Sequence, residues 1–194
     1  MRKLVVTNMM SLDGYFTGAE NNVMALPFDH MFDAYNAERM READTLVMGR
    51  ASYEGFQSYW PPIADSPDAG PAEREVSQHF NTLEKVVVSD SLADPQTGVW
   101  GDTTRVVRRS DADEFIRDLK SGPGRDIAIF ASHVLWNSLL AAGLVDELHL
   151  IVGAGTVGAG TPIFETKPMA GFQLLGVRTF DGSNNPILQF GTTS

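Results

Sequence analysis

The chain contains no cysteine in its 194 residues. That excludes a disulfide framework, a thiolate-ligated metal and a thiol nucleophile. No apolar run approaches the ~20 residues that a membrane-spanning helix needs. Basic charge is scarce, with 15 Lys and Arg against 25 Asp and Glu and a net charge of −10. Such a surface argues against non-specific binding to nucleic acid or to an anionic membrane. It leaves room for a small anionic ligand, because a local group of arginines overrides the global sign. Histidine is limited to His30, His79, His133 and His149, scattered without ligand spacing, so no metal site is expected. The sequence also lacks a G-x-S-x-G elbow, a Walker loop and an H-E-x-x-H helix. The first residues turn polar at Thr7 and Asn8, too soon for a secretory signal, and a cytoplasmic protein is expected.

Hydrophobic residues make up 43% of the chain and charged residues 21%, a balance that fills one core at this length. The apolar pattern alternates between strands and helices. Strands are predicted over 3–10, 44–49, 84–92, 103–109, 126–131 and 145–152, and over 172–180 and 186–191. Helices are predicted over 27–43, 50–60, 72–80, 110–124 and 132–143. In the first of these, Asp29 suits the opening turn, and Phe28, Phe32 and Tyr35 fall on one stripe. Residues 61–71 hold four of the ten prolines and read as a surface loop. The order implies an α/β fold with a mixed, mostly parallel sheet of eight strands, flanking helices and a C-terminal antiparallel hairpin.

The segment VGAGTVGAGTPIF, 152–164, contains G-x-G-x-x-G at Gly153, Gly155 and Gly158. A dinucleotide fingerprint needs a following helix and a further strand with an acidic residue. Here Pro162 and Pro168 stand six residues apart where that helix should form, and no βαβαβ unit is expected after the motif. The motif is read instead as a glycine-rich loop lining a pocket.

Better anion sites lie at the carboxyl ends of other strands, where ligands of open α/β sheets bind. Gly49, Arg50, Ser52 and Tyr53 follow one strand, and Ser89 ends another. Arg108 and Arg109 form the densest basic pair, and Ala131 and Ser132 open a helix whose next residues are His133 and Val134. Free N–H groups at a helix start, beside Arg and Ser, suit a phosphate.

The stretches NMMSLDGYFTG, ADTLVMGRASYEGF, VVVSDSL and LLAAGLVDELHL…GAGTPIF stand in the order found in the dihydrofolate-reductase-like superfamily. They most resemble the riboflavin-biosynthesis reductase C-terminal domain group, over nearly the whole chain. The resemblance implies NADPH-dependent reduction of a pterin-like or pyrimidine heterocycle and a homodimer. It places Gly49, Arg50 and Ser52 on the cofactor phosphates, Ser89 with Arg108 or Arg109 near the 2′-phosphate, and the turn of Ala131, Ser132, His133 and Val134 on the pyrophosphate. The substrate would lie between the first strand, the first helix and the glycine-rich loop, against Asn8, Phe28, Phe32, Phe130 and Gly153. Asp29 or Asp13 would assist its protonation. Two positions depart from the family pattern. Ala131-Ser132 replaces Gly-Gly, and Phe130 replaces an acidic residue. A non-catalytic dimeric relative that binds a nucleotide or small anion weakly is the alternative.

Overall fold

Valine, isoleucine and leucine dominate the strand segments, and they pair into one sheet in which most strands are buried on both faces. The computed structural model describes residues 1–93, 97–165 and 171–193. The strands are β1 (Leu4–Ser11), β2 (Ala43–Gly49), β3 (Glu84–Val88), β4 (Thr104–Val107), β5 (Asp126–Phe130), β6 (Glu147–Gly153), β7 (Gly171–Arg178) and β8 (Ile187–Thr193). The helices are α1 (His30–Glu42), α2 (Arg50–Tyr59), α3 (Pro71–Thr82), α4 (Ala112–Ser121) and α5 (His133–Ala141). The sheet runs β4-β3-β2-β5-β1-β6-β8-β7. The pairings from β4 to β6 are parallel, and β8 runs antiparallel to both β6 and β7. The terminal hairpin therefore folds back so that its second strand, not its first, joins the sheet.

Alternation along the strands divides the core between two faces. Leu4, Val6, Val47, Ile127 and Ile129 face α4 and α5 residues such as Ile116, Trp136 and Leu140. Leu46, Met48, Val87, Ala128 and Phe130 face Met40, Tyr53, Val76 and Phe80 on α1, α2 and α3. Burial on both faces explains why these strands read as near-continuous apolar runs.

Several boundaries differ from the pattern in the sequence. α1 begins three residues after Pro27, because Asp29 is its N-cap and accepts from Met31 N. β3 ends at Val88, where the Ser89 hydroxyl turns the chain by accepting from Ser91 N and Leu92 N. α4 starts at Ala112, after a single tight turn at 109–111. The proline-rich stretch contains one short 3₁₀ turn, Pro61–Asp65, and leads into α3 at Pro71. Residues 154–161 of the glycine-rich loop form no helix. Pro168 lies outside the described residues.

Candidate active site

The carboxyl ends of β1, β2 and β5 meet at a turn formed by Ala131 and Ser132. Both residues are left-handed, with φ of 49° and 50°. An L-residue with a Cβ pays about 1–2 kcal/mol for that conformation. Three hydrogen bonds hold it. Asn8 Nδ2 donates to Ala131 O at 3.1 Å, Ser132 N to Ser52 Oγ at 3.0 Å, and Gly49 N to Ser132 Oγ at 3.1 Å. Ala131 and Ser132 thus hold a left-handed backbone although neither is glycine. The Ser132 hydroxyl ties the start of α5 to the end of β2. Ser132 occupies the N-cap position of α5, yet its side chain does not cap that helix.

A cleft of about 920 Å³ opens beside this turn, lined by Gly49, Arg50, Ser52, Arg109, Ser132 and Val134 among others. The N-termini of α2 and α5 both face it, and neither carries a side-chain cap. Orphan N–H groups and the positive ends of two helix dipoles converge there, an arrangement that suits phosphate. Nothing lies within 4 Å of the position a Cβ would take at Gly49, so the cleft is open above that residue. Arg50 is braced by Glu54 Oε1 at 2.8 Å and Ser91 Oγ at 2.8 Å. Arg109 stands 3.7 Å from Asp90 and is largely exposed.

A second, smaller cavity of about 250 Å³ adjoins the cleft. Phe16 and Val23 line both, and the boundary falls between Ala131 in the cavity and Ser132 in the cleft. Phe28, Phe32, Phe56, Trp60, Phe80 and Phe130 supply most of its walls, with Asn8 and Asn36 among its few polar groups. No lining side chain is acidic or basic.

The residues expected at the site are partly brought together. Gly49, Arg50, Ser52, Arg109, Ser132, His133 and Val134 line the cleft, and Asn8, Phe28, Phe32, Phe130 and Ala131 line the cavity. Others lie elsewhere. Ser89 is buried in its turn, Arg108 is exposed, and neither lines either space. His133 is buried, stacked on Phe16 at 4.8 Å, with Nε2 2.8 Å from Pro162 O, so its ring anchors the glycine-rich segment. Gly153 sits behind the cavity wall, where a Cβ would come within 2.7 Å of Pro27 Cγ and 3.0 Å of Met9 Cε.

Neither expected carboxylate lines the cavity. Asp29 is committed to capping α1 and to Ser183 Oγ at 2.6 Å and Asn185 Nδ2 at 3.0 Å. Asp13 accepts from Val157 N and Gly158 N, latching the glycine-rich loop to the turn after β1. The Ser11 hydroxyl, and then these N–H groups, hold its carboxyl below the ordinary carboxylate value. Among the described residues no cluster of His, Asp or Glu could hold a metal ion, and no helix is long and apolar enough to cross a membrane.

The model of the RibD C-terminal domain matches residues 2–184. The chain belongs to the RibD C-terminal domain family. Among known proteins it is similar to the uncharacterised protein YyaP of Bacillus subtilis (strain 168), 26% identical over 92% of this chain and 89% of YyaP. Among solved structures it resembles a protein attributed to riboflavin biosynthesis from Shewanella sp. PV-4, with a TM-score of 0.70, 18% identity and 99% of both chains covered. It also resembles dihydrofolate reductase from Enterococcus faecalis complexed with NADP(H) and RAB-propyl, with a TM-score of 0.63, 16% identity, 99% of this chain and 97% of that one. These likenesses fix the dihydrofolate-reductase-like fold for this member of the RibD C-terminal domain family.

Sequence reasoning missed Asn36, Met40, Val76 and Phe80 as cavity residues. Phe28, Phe32, Asn36 and Met40 recur every four residues, and all four face the cavity. An asparagine within that apolar stripe was the available signal.

Proposed function

We propose that this RibD C-terminal domain protein is an NADPH-dependent reductase that adds hydride to a small pterin- or pyrimidine-like heterocycle. One observation carries the reading. The left-handed Ala131–Ser132 turn stands between a phosphate-suited cleft and an aromatic-walled cavity, so a ligand in each would meet there. The two uncapped helix N-termini, Arg50 and Arg109 fit a cofactor carrying several phosphates, and the two guanidinium groups favour the form with the extra 2′-phosphate. When bound, the nicotinamide supplies the hydride. The chain's own residues bind and orient. Arg50 and Arg109 offset phosphate charge, the turn fixes the end of α5, and the aromatic walls exclude water from the acceptor. With no acid on the cavity wall, the accompanying proton is assigned to solvent rather than to Asp13 or Asp29.

Calorimetric titration with NADPH and NADH tests this. NADPH is expected to bind more tightly than NADH. Silence toward both at millimolar concentration rejects the reading.

The edge strand β7 supports a homodimer. Leu174, Leu175 and Val177 are each more than half exposed there, an apolar edge that soluble proteins normally cover. Light scattering after gel filtration should give twice the chain mass, falling to the monomer in Leu174→Lys.

A further inference from the structure

The large cleft is not uniformly basic. Besides the imidazole of His133, four charged side chains line it, two of each sign: Arg50, Glu54, Arg109 and Asp113. Three of the four have a partner. Arg50 and Glu54 pair at 2.8 Å, and Arg109 leans toward Asp90 at 3.7 Å. Asp113 is half-buried, and among the described residues no hydrogen bond or ion pair engages its carboxylate. The two arginines stand at different strand ends. Arg50 follows β2 and Arg109 follows β4, with β3 between them. Two strand spacings, about 10 Å, separate those ends. Asp113 comes four residues after Arg109, in the first turn of α4, so it belongs to the β4 end. There Arg109 attracts a phosphate, while Asp90 and Asp113 oppose one. A carboxylate facing a cleft repels a phosphate but accepts a hydrogen bond from a sugar hydroxyl.

We infer that Asp113 is a specificity-determining residue of the cleft: it favours a ribose hydroxyl over a ribose phosphate at the β4 end and so keeps NADPH only a small margin ahead of NADH. This rests on the reductase reading and adds to it how the cleft tells the two cofactors apart. Under that reading the phosphates common to both cofactors lie at the Arg50 end, where the uncapped starts of α2 and α5 converge. The extra 2′-phosphate lies toward Arg109. Glu54 therefore acts differently from Asp113. It shields Arg50 at the shared end and weakens both cofactors alike. A first-turn carboxylate also favours the start of its own helix. That role alone would alter the melting temperature of an Asp113 variant and leave the ratio of cofactor affinities unchanged.

Calorimetric titration of the full chain with NADPH and with NADH, each at low and high salt, is the test. The wild type should bind NADPH less than about tenfold more tightly than NADH. Asp113→Asn should tighten NADPH about tenfold and change NADH by less than about twofold. High salt should shrink that gain, because partly exposed charges are screened. Asp113→Ser should shift the ratio in the same direction. Glu54→Gln should tighten both cofactors by one factor, and Arg109→Ala should loosen NADPH alone. Asp113→Asn keeps the size of the side chain, so its melting temperature should fall by about 3 °C or less.

An unchanged NADPH-to-NADH ratio in both Asp113 variants, with the cofactors still bound, overturns this inference and leaves the reductase reading standing. So does equal tightening of both cofactors, since the carboxylate would then act on the whole cleft rather than at the β4 end. A wild-type margin of about a hundredfold or more overturns it too. Failure of the wild type and the Asp113 variants to bind either cofactor rejects the reductase reading, and this inference with it.

Discussion

The two ends of the sheet treat their polar groups in opposite ways. At the amino end, Arg2 pairs with Asp44, and its guanidinium also donates to Arg125 O and Thr45 Oγ1, both at 2.8 Å. Arg125 N returns a bond to Asp44 Oδ2 at 2.7 Å. Lys120 Nζ reaches Leu144 O and Asp146 Oδ2, each at 2.7 Å. Lys3, Glu147, His149, Tyr35 and Gln189 form a further chain with links of 2.7–3.0 Å. At the carboxyl end, two residues sit in left-handed backbone and two helix N-termini lack side-chain caps. Polar groups that satisfy one another stabilise the fold. Polar groups left unpaired, or held in costly geometry, are available to a ligand.

This contrast predicts which substitutions affect folding and which affect binding. The largest expected effect is Arg2→Ala. It leaves Asp44 and Thr45 without their buried partner and should cost about 3 kcal/mol, the low end for a broken buried pair because Asp44 is partly solvent-screened. Urea unfolding measures the loss, and NADPH affinity should not change. The reverse is expected of Arg50→Ala. Its pair with Glu54 is exposed, so stability should shift by less than about 0.5 kcal/mol. NADPH affinity should fall about tenfold, or ~1.4 kcal/mol, by calorimetry. An Arg50→Ala protein that binds NADPH normally would move the phosphate site elsewhere.

Glycine substitutions in the turn give smaller effects. Ala131→Gly relieves one left-handed residue and should stabilise the protein by about 1 kcal/mol in thermal unfolding. Ser132→Gly relieves the same strain but loses the bond from Gly49 N, so its net change should be near zero. A difference between the two variants therefore isolates the Ser132 hydroxyl.

The smallest effect concerns pH. Burial pushes the His149 imidazole below its ordinary value of 6.5, although Glu147 opposes this. As pH falls below about 6.5, the unfolded chain takes up a proton that native His149 resists, so stability falls with acidification. His149→Gln should remove that slope from the melting temperature measured between pH 7 and pH 5.

Much of the fold was legible because strand patterning is local. Runs such as LVV at 4–6 and VVV at 86–88 are buried on both sides wherever they pair. The stop at Gly143 was legible too, since its φ of +68° suits glycine after a helix. The site was legible only in outline. Ser132 reads as an ordinary N-cap, but its hydroxyl is turned toward β2, a strand 83 residues earlier in the sequence at the Gly49 contact. Asp29 reads equally well as a catalytic acid or a cap, and the bonds from Met31 N, Ser183 and Asn185 commit it to the cap. The order of the hairpin, with β8 inside β7, depends on long-range pairing that no local pattern encodes.

The sequence by itself determined the α/β class, the exclusion of thiol chemistry, and the helix starts and strand ends where a phosphate site could form. It also argued against a dinucleotide fingerprint at Gly153, Gly155 and Gly158, because Pro162 and Pro168 stand where its helix should form. Only the tertiary structure decided which of those ends face one another. It brought Gly49, Ser52 and Ser132 into a single bonded turn, left Ser89 and Arg108 outside it, and placed Asn36 unpartnered in an apolar wall. The physical reason is that propensity and periodicity act over a few residues. Burial and hydrogen-bond satisfaction depend on what the rest of the chain brings alongside.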